Sequence, residues 1–335
     1  MLVSHYFEWE RFVTGGHAQS VHNQRTIMDR HGIEYTTEPI LDADLLHLNN
    51  MGPRSLYYAA RARRRGTPVL AHAHQTAEDF RESFAGSAYL ARPLRPYLSL
   101  AYSRADHLIC PSAYTERTIR TYTDTPTTVV SNGFDPDRLA GSDDPALREE
   151  YLERYDLEPP VVYTVGHVIE RKGLRAFVET ARAMPELEFV WFGYLNPTGG
   201  RFDRVLRSSE TERLVADAPG NCTFTGYVED IRGAYAAGDV FFFPTKNENE
   251  GMALLEAMSC GTPPVVRDIP AFEWLTGGDD CLKATDGEFT DALASMLDAD
   301  RRERIGERAR ERSTERTLDA VGDELVAVYR ELAGA

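Results

Sequence analysis

Short apolar runs alternate with longer amphipathic stretches along most of this 335-residue chain. DADLLHLNN, TPVLAHAHQT, ADHLICPS and TTVVSNGFD are each of strand length. Between them, MGPRSLYYAARARRRG, which stops at Gly66, and TERTIRTY carry helical spacing. The first strand is poorly marked, but VTGGHAQSVHNQRTIMDRHG reads as a glycine turn at Gly15 and Gly16, then a helix with Val21, Ile27 and Met28 as its apolar stripe, then a stop at Gly32. Strand and helix in alternation predict a parallel sheet covered by helices, with ligands beyond the carboxyl ends of the strands. Four polar features fall at such ends: Asn49 with Asn50, His72 to Thr76, Pro111 with Ser112, and Asn132 with Gly133.

An acidic stretch from Asp143 to Glu158 leads to Pro159 and Pro160, after which PVVYTVG restarts with a buried strand, so a linker is expected there. LEFVWFGY, NCTFTGYVED, AYAAGDVFFFPT and TPPVVRD supply further strands, and the second half repeats the architecture of the first. From about Phe289 the chain is helical, and the stripe Leu318, Val321, Leu325, Val328 and Leu332 requires the last helix to pack on something.

Two loops of the second half carry candidate chemistry. GHVIERKGL sets Arg171 and Lys172 beside a helix start, where they suit a diphosphate. FFFPTKNENEGMALLEAM reads as strand, polar loop and a helix opening near Gly251, whose unpaired N–H groups favour an anion. Glu248 in the loop and Glu256 in the first two turns can face one pocket, where carboxylates suit hydroxyl groups rather than phosphate. Glu248 and Glu250 are equally readable as ordinary acids beside a helix dipole. In the first half, His72 and His74 alternate along a strand. That spacing suits a metal, but no third ligand is evident nearby. His74 at the strand exit suits a substrate hydroxyl, with a structural histidine as the alternative.

Length favours two domains. Acids outnumber bases by 53 to 37, and only three of the bases are lysine, which argues against a nucleic-acid binder and resembles the proteome of a salt-loving, GC-rich organism. Residues 51–120 run against this trend, with eleven arginines against five acids, net +6, leaving −22 for the remainder. Residues 83–104 mix Phe84, Tyr89, Leu94, Tyr97 and Leu100 with Arg92, Arg95 and Arg104. Such a segment suits an anionic membrane surface, or equally a core helix with a basic outer face. Four scattered cysteines without a CxxC pair favour free thiols in a reducing compartment, not a metal or disulfide framework. No basic and apolar leader starts the chain, and no run approaches the ~20 apolar residues of a spanning helix, so a cytoplasmic protein is expected.

The residues together resemble the retaining glycosyltransferases of family four, which have two facing Rossmann-like α/β domains with parallel sheets and an interdomain cleft (the GT-B type). Their hallmark is two glutamates separated by seven residues, as Glu248 and Glu256 are here, with Gly251 at the family's glycine position. Gly15 and Gly16, His74, NGFD at 132–135, Gly166 with Lys172 and Gly173, and FTGYV at 224–228 occur in the family's order. HAHQTAEDFRESF, PSAYT, ERKGL, ENEGMALLEAM and RDIPAFEW are similar to the bacterial branch that includes diglucosyl diacylglycerol synthases. One departure is His167, where the family usually has arginine.

The resemblance implies an acceptor domain at 1–158, a donor domain at 159–315, and a terminal helix at 316–335 packing back on the first. It also implies a metal-independent hexosyltransferase without a cofactor, using a nucleotide sugar, UDP-linked by expectation, as co-substrate. His74, Lys172, Glu248 and Glu256 would carry catalysis. Gly15, Gly16, His167, Arg171, Lys172, Tyr227, Val228, Glu248, Gly251, Met252, Ala253, Leu254 and Glu256 would bind the donor, and His74, Thr76, Arg92 and Arg95 the acceptor. Three readings stay open. The acceptor is a membrane lipid or glycolipid, reached through peripheral contact of residues 51–120 with the inner face of the membrane. Alternatively it is a polyprenyl-linked or surface-polysaccharide glycan, or the chain is a catalytically weak sugar-nucleotide binder.

Overall fold

A computed structural model describes residues 1–80, 87–195 and 209–334, with the side chains of 87–92 and 209 outside the description. Phe84 and the side chain of Tyr89, in the basic, aromatic segment, therefore fall outside it. The chain divides into two units. One comprises the described residues up to Phe134, rejoined by the segment from Arg316, and the other is Asp135–Glu315.

The first unit holds β1 (Leu2–Tyr6), β2 (Glu34–Thr36), β3 (Leu45–Leu48), β4 (Val69–His72), β5 (His107–Cys110) and β6 (Thr127–Val129). They form one parallel sheet in the order β2-β1-β3-β4-β5-β6. The central strands are buried on both faces, which is why LLHL and VLAH read as continuous runs. β1 is poorly marked because LVSHY buries Ser4 and His5 completely. The helix Gly16–Arg30 follows β1, and Gly15 enters it at φ 72, a conformation that favours glycine. The terminal helix Leu318–Ala333 lays Leu318, Val321, Leu325 and Val328 against Val3, Ile27, Met28 and Leu45 of this unit. Gly133, at φ 62, leaves room for it, since a Cβ there would stand 2.9 Å from Leu318 and Val321.

The second unit holds β7 (Val161–Val165), β8 (Glu188–Phe192), β9 (Cys222–Gly226), β10 (Val240–Phe243), β11 (Pro264–Arg267) and β12 (Leu282–Ala284). These too are parallel, in the order β12-β11-β10-β7-β8-β9. Phe177, Phe189, Trp191 and Phe242 fill one face of this sheet with stacked and edge-on rings.

The boundary between the units differs from the expected one after Glu158. The acidic stretch forms the helix Pro145–Tyr155, which belongs to the second unit. Tyr151 is buried and donates to the Asp230 carbonyl at 2.7 Å, in space left by Gly233, and Arg148 donates to the carbonyls of Ala236 and Ala237 and pairs with Asp239 at 2.9 Å. Acidity marked the solvent face of a docked helix rather than a linker.

Candidate active site

In the second unit, the loops leaving β7 and β10 are laced together. Gly173 makes this possible: at φ 84, a Cβ on it would lie 2.2 Å from the Pro244 carbonyl oxygen. Arg171 accepts from Lys246 N at 2.8 Å through its carbonyl, and its Nη1 donates to the Asn247 carbonyl at 2.8 Å. Lys246 Nζ returns to Glu170 at 2.8 Å. This lacing carries Lys172 onto Glu248, where the ammonium donates to Oε1. Thr245 Oγ1 donates to the same oxygen at 2.8 Å, and Arg171 Nη1 stands 3.8 Å from Oε2. Glu248 is 7% exposed. Burial alone would raise its carboxyl, but Lys172 and Arg171 more than offset this and hold it below its ordinary value. Glu248 is thus an ionised, buried acceptor beside two cations.

His167 lies in the same loop. Burial, reinforced by Lys172 and Arg171, pushes it down to about 4. It is neutral at physiological pH, so it does not supply the charge of the arginine the resemblance expects. The cations of this loop are Lys172 and Arg171, both turned toward Glu248.

The helix Met252–Ser259 follows Gly251, whose φ of 95 turns the chain into it with no side chain capping the end. Met252 and Leu254 bury their side chains, so contact with an anion from this turn is left to the backbone. Glu250, expected as a helix-start acid, precedes this cap and is buried. Glu256 is 6% exposed. Its Oε1 accepts from Arg138 and its Oε2 from the Tyr235 hydroxyl at 2.5 Å. Neither partner was foreseen: Arg138 is 118 residues away and Tyr235 lies in an apolar stretch, and no spacing rule links them. Beyond β9, Tyr227 is 60% exposed and stacks on Tyr194 at 4.8 Å and 11°, while Val228 is buried.

In the first unit, β1, β3 and β4 bring histidines together. Parallel register sets His5 opposite His47. The rings of His72 and His74 stack at 4.0 Å and 2°, and His17, from the first turn of its helix, lies 4.3 Å from His74. Gln24 and Asn49 wire this cluster. Arg25 Nε donates to His5 Nδ1 at 3.3 Å, and His5 Nε2 lies 2.8 Å from Gln24 Oε1 and 3.0 Å from Asn49 Nδ2. Gln24 Nε2 donates to His72 Nδ1 at 3.1 Å. His74 Nε2 is 3.4 Å from both Gln24 Nε2 and Asn49 Oδ1, and His17 Nε2 donates to the Asn49 carbonyl at 2.7 Å. Burial pushes His5 and His17 down to about 4 and His72 to about 3, and holds His47 and His74 well below the ordinary histidine value. His74 is therefore a neutral hydrogen-bonding group. The alternation of His72 and His74 was legible, but the other three histidines were not.

Gly15 and Gly16 form the entry to the first helix. Thr76 is buried and exchanges hydrogen bonds with Asp79, its hydroxyl donating at 2.8 Å, so it caps the short helix Ala77–Phe80. Arg95 donates to Thr121 Oγ1 at 2.8 Å and lies over the Tyr122 ring at 5.1 Å. Arg92 is in the helix Ser87–Tyr102, with its side chain outside the description.

Residues 17–138 match the model of Glycosyltransferase Family 4, and residues 159–299 that of Glycosyl transferases group 1. The chain is 32% identical over 325 residues to the processive diacylglycerol alpha-glucosyltransferase of Acholeplasma laidlawii, covering 95% of this chain and 94% of that protein. It is 31% identical over 135 residues to the alpha-galactosylglucosyldiacylglycerol synthase of Streptococcus pneumoniae, covering 40% and 35% of the two chains. Among solved structures, Anabaena HepE in complex with UDP-glucose superposes with a TM-score of 0.77 at 16% identity, covering 98% of this chain and 99% of that one. The lipopolysaccharide glycosyltransferase WaaG superposes at 0.69 and 16% identity, covering both chains fully at 100%. With two six-stranded parallel sheets and a match along nearly its whole length, the chain belongs to glycosyltransferase family four and is an α/β glycosyltransferase of the GT-B fold.

Proposed function

We propose that this enzyme moves a hexose, with retention at the anomeric carbon, from a UDP-linked sugar to a membrane glycerolipid or glycolipid. The observation that carries this reading is the likeness, over 95% of the chain, to an enzyme named for processive glucosylation of diacylglycerol. The loops of the second unit suit the donor. Lys172 and Arg171, with the backbone N–H groups that follow Gly251, would balance the diphosphate as it takes up charge. Glu248, ionised and buried, would accept hydrogen bonds from the donor sugar, and Glu256 from the ribose. In the first unit, neutral His74 would hold a hydroxyl of the sugar or acceptor. The sugar–phosphate C–O bond breaks as the acceptor oxygen attacks from the same face, and the departing phosphate oxygen takes the acceptor's proton. No side chain becomes covalently bonded.

Support for a membrane acceptor comes from the first unit. The helix Pro53–Arg65 ends in three consecutive arginines, and Tyr57 and Leu100 are exposed. Each cation near an anionic bilayer contributes about 1 kcal/mol. No helix among the described residues is long and apolar enough to cross a membrane.

The test is incubation with a panel of sugar nucleotides and three acceptor classes: diacylglycerol-containing lipid extract, polyprenyl-linked glycan and free oligosaccharide. Products are identified by mass spectrometry and their anomer by NMR. An α-hexosyl lipid made from a UDP-sugar is expected. A product on polyprenyl or oligosaccharide acceptors alone would overturn the acceptor, and a β-linkage would overturn retention. Neither transfer nor sugar-nucleotide hydrolysis would leave a binding protein.

A further inference from the structure

Glu256 does not stand alone in its unit. Each of its carboxylate oxygens is held by one side chain, Oε1 by Arg138 and Oε2 by the Tyr235 hydroxyl at 2.5 Å. Both partners come from constrained backbone. Arg138 belongs to the turn Pro136–Leu139, which Asp135 caps by accepting from Asp137 N at 3.2 Å and which buries Leu139. Tyr235 belongs to the buried helix Ile231–Ala237 and meets Tyr163 edge-on at 6.1 Å.

We propose that Arg138 and Tyr235 are positioning residues that set the Glu256 carboxylate to receive the adjacent 2′- and 3′-hydroxyls of a nucleoside diphosphate's ribose. The proposal rests on the reading of Glu256 as the ribose ligand. An ionised carboxylate offers about four acceptor directions. Two are used inside the protein, one on each oxygen, which leaves one on each oxygen for a pair of adjacent hydroxyls. A glutamate's terminal torsion is broad, so an unrestrained carboxylate would present that pair in only a fraction of its rotations. Tying both oxygens removes this freedom before the nucleotide arrives. Arg138 also supplies the counter-charge that a carboxylate this buried requires. Tyr235 supplies a neutral donor, because burial and the adjacent carboxylate keep its phenol from ionising.

The measurement is calorimetric binding of UDP and of 2′,3′-dideoxy-UDP to the wild type and to Tyr235→Phe, Arg138→Lys, Arg138→Gln and Glu256→Gln. The wild type should prefer UDP. In Tyr235→Phe and Arg138→Gln that preference should shrink by about tenfold, the size of one hydrogen bond to a charged group, while dideoxy-UDP affinity holds. Arg138→Lys should keep part of the preference, and KM for the sugar nucleotide should rise more than kcat falls. Equal weakening of both nucleotides would make the two residues merely structural and overturn the proposal. Tighter UDP binding on loss of Arg138 would overturn it too, by making Arg138 a competitor of the ribose. Should Glu256→Gln leave the preference intact, the ribose reading itself fails. Should it alone remove the preference, that reading stands and the positioning role falls.

Discussion

Mild acid should unfold the first unit before the second. Five histidines are packed in one cluster there, and each is held neutral by burial. For a base whose folded pKa lies below its unfolded value of 6.5, the unfolded chain takes up the proton first. Stability is therefore complete above 6.5 and is lost as pH falls toward the folded value, about 4 for His5 and His17 and about 3 for His72. At about pH 5 the unfolded chain is ~1.5 pH units into this window, which costs the fold ~2 kcal/mol per histidine. The cost adds across the cluster, because protons are taken up in the unfolded chain, where the rings are apart. His5, His17 and His72 alone thus remove ~6 kcal/mol, against a domain stability of about 5–15 kcal/mol. The second unit contains only His167 among the nine histidines and should lose about 2 kcal/mol over the same range. Urea unfolding followed by circular dichroism from about pH 7.5 to about pH 5, with pulse proteolysis and mass spectrometry to assign cleaved peptides, measures both. A midpoint for the first unit that stays flat across this range, or an equal loss in the second, would refute the reasoning.

Further outcomes follow from the same geometry. Lys172→Ala should leave the fold intact and lower kcat by about 10²–10³-fold, as for loss of a donor to developing negative charge; an unchanged rate would remove Lys172 from the diphosphate. His74→Ala should slow transfer severely at neutral pH, because the group acts as a neutral hydrogen-bonding partner; unaltered turnover would make it structural. Gly173→Ala combines a left-handed φ of 84 with a Cβ 2.2 Å from the Pro244 oxygen. It should destabilise the second unit by at least about 2 kcal/mol in thermal or urea unfolding, and a wild-type melt would show that the laced loops yield freely.

Strands buried on both faces, such as LLHL, VVYTV and VFFF, were legible because both pleat faces are apolar and turn residues bound them. β1 was obscured by two buried polar residues, Ser4, which donates to the Glu38 carbonyl at 2.8 Å, and His5, which joins the histidine cluster, and β2 and β12 are only three residues each. Glu248 and Lys172 were legible as members of separate motifs. Their ion pair was not, since it depends on Gly173 letting one loop lie against the exit of β10.

By itself, then, the sequence determined the alternation of strand and helix, the doubled architecture and the short motifs of the two donor loops, all of which are written in local periodicity and spacing. Tertiary structure alone decided that Arg138 and Tyr235 hold Glu256, that five histidines share one cluster, and that the helix Pro145–Tyr155 belongs to the second unit. Those contacts join residues far apart along the chain. They are set by strand order and register, which no local pattern encodes.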